Sequence, residues 1–357
     1  MLKLERAELS ACDEADAFLQ TGFWGAFKAR FGWEALTYNV CWPGNNAVFK
    51  SPLLVLRRSL AAGFSLAYIP WGPELPLSLI ADEHGEKTEN IYNTALEELA
   101  LALKNELPKN TVFIRFDPPW YNGGIPVSPM ANAFVKAGAD IQAPDTVIVD
   151  LSQSMESVIA GMKPKCRYNA KLALKKGVML RRAGVEEIIN FYELLKKTAR
   201  RDGIAIHGIE YYETLLKNGF YNGKKPYIRL YLAEHEGDLL AGIMTLFWNR
   251  KAVYLYGASS DEKRSFMAPY ALQLKAMEDA KESGCTEYDL YGIPPNEDPA
   301  HPMAGLYRFK TGFGGKIIHR PGSWDYPNRL LIYKIFRSME ALRKNLRTFK
   351  KRLKRQI

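Results

Sequence analysis

The sequence predicts a mixed α/β fold in two halves. Short apolar runs alternate with amphipathic stretches of helical period. In the second half, three consecutive apolar runs feed a helix that returns to a strand. The first half repeats that order. With 357 residues, two domains is the expectation. The 47% hydrophobic and 25% charged residues are the proportions of a globular protein able to bury its own core.

In chain order, AVFKSPLLVLRR and FSLAYIP read as strands, and NIYNTALEELALALKNELP as a helix. That helix carries Ile91, Ala95, Leu99 and Leu103 on one face and stops at Pro108. TVFIRFDPP reads as a buried strand and TVIVDL as the last strand of the first sheet, which places a boundary near residue 150. From Ser154, SMESVIAGMKPKCRYNAKLALKKG reads as one helix ending at Gly177, and VEEIINFYELLKKTARRDG as a second, ending at Gly203. IEYYETLLKNG is a third. The strands YIRLYLAEHEG, LLAGIMTLFWN and AVYLYGASS follow. APYALQLKAMEDAKESG is a helix and TEYDLYGI the strand after it. The expected domains are 1–151, with 321–357 packing back on it, and 152–320.

Composition narrows the function. Cys12, Cys41, Cys166 and Cys285 are far apart, without metal-ligand spacing, so no metal is expected and reduced thiols are. The first twenty residues are acidic where a signal peptide needs an apolar core, and no stretch approaches the roughly 20 apolar residues of a span. A cytoplasmic chain is expected. The net charge of +10 is uneven: residues 334–357 hold ten Lys/Arg and one Glu, so the other 333 residues carry about +1. From Leu330 onward, Leu331, Ile335, Met339, Leu342, Leu346, Phe349 and Leu353 recur at helical steps among the basic residues. Such a helix suits tRNA phosphates, an anionic membrane surface at its inner face, or packing on the domain with a solvated tail.

The segment from Tyr254 to Gly315 carries YLYGASS, MAPYALQLKAMEDAKESGC, YDLYGI and HPMAGLYRFKTGFGG in that order. Upstream stand GMKPKCRYNAKLALKKGV, RDGIAIHGIEYYETL, YIPWGPEL and FWGAFKARFGWE. Together this series resembles the Fem peptidyltransferase family over most of residues 20–325. The resemblance implies two tandem acetyltransferase-like (GNAT-like) domains with a cleft between them, here with a basic C-terminal helix. It implies transfer of an amino acid from aminoacyl-tRNA to the side-chain amine of a peptidoglycan stem peptide. UDP-MurNAc-pentapeptide or lipid II is the expected acceptor, and a monomer without cofactor is expected. The residues themselves agree at one point. An acyl-CoA-dependent GNAT domain cradles pyrophosphate on a glycine-rich turn, whereas SSDEKRSFMAPYALQL has no glycine and carries Phe266 and Met267. Two other readings stay open: a CoA-dependent N-acyltransferase, and a non-catalytic tRNA- or membrane-binding module.

In RFKTGFGG, Lys310 beside Phe309 and a glycine-rich turn is the candidate for holding positive charge at a tetrahedral oxyanion, and the resemblance implicates this Phe–Lys pair. The alternative is a surface lysine beside a β-turn. Asp289, ending TEYDLYGI, is a candidate for orienting Lys310 or accepting from the incoming ammonium, or is structural. Lys28 matches a family position that binds acceptor phosphates; otherwise it is a solvated helix lysine. His207 stands where relatives often carry Arg, a weaker and pH-dependent phosphate partner, and Tyr211 follows it. Tyr256 is expected to line the cleft, with Tyr254 on the same strand face by alternation. Tyr68 and Trp71 sit at a strand end, where ligands often lie, or they pack.

Overall fold

The computed structural model describes residues 2–43, 48–75, 86–122, 125–126, 133–219 and 225–353, with side chains of the last helix described up to Arg343. Among these residues the strands form two seven-stranded mixed sheets and one short ribbon, β6 (Tyr121–Asn122) with β7 (Ile125–Pro126). The chain divides into two compact units. The first holds residues 1–122, 126–144 and 320–357, and the second 123–125 and 145–319.

In the first unit, the strands β1 (Lys3–Arg6), β2 (Glu34–Pro43), β3 (Val48–Ser59) and β4 (Ser65–Ile69) pair antiparallel in order. Helix α1 (Gly22–Ala29) precedes β2, and Thr21 caps it by accepting from the Trp24 amide at 3.3 Å. Helix α2 (Glu86–Glu106) carries the chain over to β5 (Thr111–Phe116), parallel to β4. Every residue of β5 is buried, as a central strand with both faces covered requires. Leu96, Leu99, Ala100 and Leu103 of α2 join Leu53, Val55, Ile69 and Phe116 in the core. The short β8 (Val135–Lys136) closes the far edge.

The second unit repeats this plan. Strand β9 (Asp145–Asp150) is followed by α3 (Met155–Gly161), α4 (Pro164–Lys175), β10 (Met179–Ala183), α5 (Ile188–Asp202) and α6 (Ile209–Asn218). Strands β11 (Tyr227–His235), β12 (Asp238–Trp248) and β13 (Lys251–Ser259) continue the antiparallel run from β10. Helix α7 (Ala268–Glu282) crosses to β14 (Glu287–Asp289), parallel to β13. Helix α8 (Ala304–Thr311) and β15 (Lys316–His319) complete the unit. Both sheets thus run antiparallel three times, parallel once, then antiparallel twice. The expected α/β class with two such sheets is what the structure has.

Two expectations change and a third gains detail. Strand β9 does not close the first sheet; it inserts between β14 and β15 of the second. The helix expected from Ser154 to Gly177 is two helices, broken at Met162 and Lys163, because Pro164 disfavours helical backbone before it. In RFKTGFGG the glycine-rich turn follows Lys310 as expected, and Arg308, Phe309 and Lys310 themselves form the end of α8. The helix ends read from sequence stand at Ser154, whose side chain accepts from the Ser157 amide at 3.2 Å, and at Gly203, which is left-handed at φ 65°.

The C-terminal segment returns to the first unit. Strand β16 (Trp324–Pro327) inserts between β5 and β8, and α9 (Leu330–Leu353) follows. Ile332, Tyr333 and Phe336 pack on Val112 and Phe113. The expected apolar positions Leu346, Phe349 and Leu353 lie outside the described side chains, and residues 354–357 outside the described residues.

Candidate functional site

The sequence-expected residues divide between the units: Lys310, Phe309, Asp289, Tyr256, Tyr211 and His207 stand in the second, and Lys28, Tyr68 and Trp71 in the first. In the second unit, Lys310 is on the last turn of α8 and its side chain is buried. Its Nζ donates to the carbonyl oxygens of Tyr291 at 2.7 Å and Gly292 at 2.9 Å, and lies 5.0 Å from the centre of the Tyr254 ring. It is neither a surface lysine nor bracketed by open glycine backbone. A Cβ on Gly314 would come within 2.7 Å of the Gly161 carbonyl oxygen, so that glycine lets α8 return close to α3 rather than to a ligand. Burial pushes the Lys310 ammonium down to about 7, against the raising pull of Asp289. A group titrating there exchanges charge near neutral pH, as catalytic sites often require. Tyr291, which supplies one of the carbonyls, has φ 54°, a strained conformation for a side-chain-bearing residue.

Asp289 ends β14 and is buried; its Oδ1 accepts from the Thr146 hydroxyl and from the Tyr291 amide, the latter at 2.7 Å. It therefore holds the Tyr291 turn that in turn holds Lys310. Phe309 packs edge-on against Tyr270 at 4.9 Å and Phe313 at 5.2 Å. It has no group for proton or charge chemistry, and its place is to seat α8 on α7.

Tyr254 and Tyr256 do not share a face. A β-bulge leaves Leu255 unpaired: Met244 faces Tyr256 and Thr245 faces Tyr254. Tyr254 turns to the α7 side, where it hydrogen-bonds Gln273 and covers Gly257. Tyr256 turns to α6, edge-on to Tyr212 at 5.0 Å and hydrogen-bonded to Tyr211. Burial pushes Tyr211 and Tyr254 up to about 12 and Tyr256 well above its ordinary value, so all three are neutral hydroxyls at working pH. His207 is exposed and lies flat on Tyr211 at 3.9 Å and 12°.

In the first unit, Lys28 lies near the end of α1 with its Nζ 5.8 Å from the centres of both the Trp24 and Trp33 rings. Burial, together with the nearby Arg58 guanidinium, pushes it down to about 8. It is not a solvated helix lysine. Trp33 reaches Tyr68 at 6.0 Å between centroids. Tyr68 donates its hydroxyl to Asp117 Oδ2 and accepts from Gln142 Nε2 at 3.2 Å. Trp71 has φ 42° and lies under the Arg320 guanidinium, 4.6 Å from ring centre.

Asp117 escaped the sequence reading. It is buried, accepts from Tyr68, Ser323 and the Gln142 amide, and is pushed up to about 6 by burial despite them. Its signal was the acid directly after the fully buried strand TVFIRF. Arg58 and Trp33 were missed because their neighbourhood depends on three separate elements.

The turn before α7 bears on the CoA-dependent reading. A cavity of about 350 Å³ is lined there by Ser259, Lys263, Met267 and Tyr270, among others. The Phe266, Met267 and Tyr270 amides already donate to the Lys263, Arg264 and Met267 carbonyls. Lys263 is paired with Asp238 at 2.7 Å. Neither the backbone nor that lysine offers a diphosphate cradle. Acetyl-CoA is therefore expected to give no heat of binding in calorimetry at micromolar to millimolar ligand; saturable binding abolished by Met267→Trp overturns this.

Comparison with known proteins places the chain. The lipid II:glycine glycyltransferase of Staphylococcus haemolyticus (strain JCSC1435) is 24% identical over 357 residues, covering 80% of this chain and 84% of that protein. The protein of the same name from Staphylococcus saprophyticus is 25% identical over 354 residues, covering 80% and 85%. A crystal structure of FemX matches with a TM-score of 0.75 at 20% identity, over 93% of this chain and 99% of that one, which shows a shared fold. The model of the FemAB family matches residues 133–237 and 227–341, more than half of the sequence, and the chain belongs to that family.

Proposed function

We propose that this chain is an aminoacyltransferase of peptidoglycan bridge formation. It moves an amino acid from aminoacyl-tRNA to the side-chain amine of the third stem-peptide residue on UDP-MurNAc-pentapeptide or lipid II. The observation that carries the reading is Lys310: a buried ammonium, fixed by two carbonyls and pushed down to about 7, in a FemAB chain whose relatives are lipid II:glycine glycyltransferases.

In this reading the acceptor amine, once deprotonated, attacks the ester carbonyl. The C–N bond forms, an oxyanion develops, and the C–O bond to the tRNA ribose breaks as the amine's second proton passes to the leaving hydroxyl. Charged Lys310 stabilises the oxyanion, the interaction that usually contributes most in acyl transfer. Lys28, Tyr68 and Trp71 serve the acceptor's phosphates and sugar; Tyr211, Tyr256 and His207 offer neutral hydroxyls and an exposed imidazole to substrate. Cys12, Cys166 and Cys285 are poor nucleophiles, since burial pushes the Cys12 and Cys166 thiols up to about 12 and Cys285 to about 11.

The test supplies purified protein with charged total tRNA carrying labelled amino acids, and either UDP-MurNAc-pentapeptide or lipid II. Label is expected in the acceptor, and ribonuclease pretreatment should abolish it. Ribonuclease-resistant transfer from an acyl-CoA would instead establish the N-acyltransferase reading.

A further inference from the structure

Among the described residues, the C-terminal helix α9 is apolar on two sides, and one of them is covered. Ile332, Tyr333 and Phe336 meet the first unit's core. Leu331, Ile335, Met339 and Leu342, spaced four, four and three residues apart, form a second stripe with exposures of 74, 54, 48 and 60%. Large aliphatic side chains left in water along three turns mark a docking surface. Lys334 and Arg343 are exposed beside the stripe, and the single acid, Glu340, faces Arg337 at 3.9 Å. In sequence, the apolar period continues through Leu346, Phe349 and Leu353, interleaved with Lys344, Arg347, Lys350, Lys351 and Arg352.

We infer that this face of α9 lies on an anionic lipid surface, with the aliphatic stripe at the acyl boundary and the basic residues at the headgroups. Charge complementarity decides the occupant. RNA phosphates would satisfy the basic residues and leave the stripe wet. A second copy would cover the stripe and bring two segments of net +9 together. An anionic bilayer satisfies both at once. Among the described residues no helix is long and apolar enough to cross a membrane, so α9 lies on the surface. The inference goes beyond the transfer reaction and is measured without donor or acceptor, so either can fail while the other stands.

The experiment compares the full chain with the Ile335→Glu/Met339→Glu variant, both exposed positions remote from the core. Co-sedimentation uses phosphatidylglycerol-containing vesicles and vesicles of phosphatidylcholine alone. The wild type should bind the anionic vesicles selectively, and the variant should lose about tenfold or more in partition, since two apolar side chains that would enter the acyl boundary become charges. Its melting temperature should match the wild type. Equal sedimentation of the two proteins, or no vesicle binding by the wild type, overturns the inference. So does loss of tRNA affinity with vesicle binding intact, which assigns the face to RNA, or a dimer that the variant dissociates, which assigns it to a second copy.

Discussion

Lys310→Ala is expected to lower kcat by at least about 10²-fold, the scale of losing one group that stabilises an oxyanion. KM for either substrate should move far less, because the interaction is made in the transition state. The carbonyls of Tyr291 and Gly292 lose their donor, so a stability loss of about 1–3 kcal/mol accompanies the change. The pH profile separates two roles for this lysine. With the ammonium near 7 and an acceptor amine near its ordinary ~10.4, catalysis by charged Lys310 makes log kcat/KM rise with unit slope below pH ~7 and then run flat to about pH 10. Catalysis by neutral Lys310 as a base makes the slope about +1 across that same interval. A flat profile supports the electrostatic role; the rising one replaces it with base catalysis. The same shift acts on folding. The folded-state value lies below the ordinary 10.5, so between about 7 and 10.5 the unfolded chain binds more protons. The cost of burying this charge is complete below pH ~7 and is relieved as pH rises through that window. Lys310→Ala should flatten that part of the stability curve, read by denaturant unfolding at fixed pH steps.

The local elements were legible because period and punctuation act over a few residues. The strands β11, β12 and β13, helices α5 and α7, and the caps at Ser154 and Gly203 follow from alternation, amphipathic spacing and cap chemistry. Long-range placement was not legible. TVIVDL is equally apolar in either sheet, and only its partners β14 and β15 decide which. The break at Pro164 was readable in principle and was outweighed by a continuous helical pattern on both sides. At the site, RFKTGFGG drew attention to Lys310, but its burial and its pairing with the Tyr291 turn come from a segment nearly twenty residues earlier. The bulge at Leu255 reverses one tyrosine, and strict alternation has no way to announce it.

Asp325→Ala should be the most destabilising single change in the first unit, by about 3–5 kcal/mol, the cost of stranding a buried charge. Asp325 is fully buried on β16, and Arg115 on β5 reaches it with Nε at 2.7 Å and Nη2 at 2.9 Å. Tyr333 on α9 donates its hydroxyl to the same carboxylate at 2.9 Å. One carboxylate therefore ties together a central strand, the returning strand and the last helix, across 210 residues of sequence that include the whole second unit. Its removal leaves the Arg115 guanidinium buried beside Phe113 without its hydrogen-bonded carboxylate, with only the more distant Glu340 and Asp117 acting on it, and loosens the seat of α9. Arg115→Met/Asp325→Leu removes both charges at similar volume and should recover most of the loss, since a buried ion pair is often no more stabilising than the apolar pair that replaces it. Chemical denaturation reads both variants. A single variant within ~1 kcal/mol of wild type would mean that solvent reaches Arg115 when β16 relaxes. The recovered double variant carries a second use: with the fold intact but Tyr333 released from its carboxylate, any fall in vesicle binding reports how firmly α9 must be held for its outer face to dock.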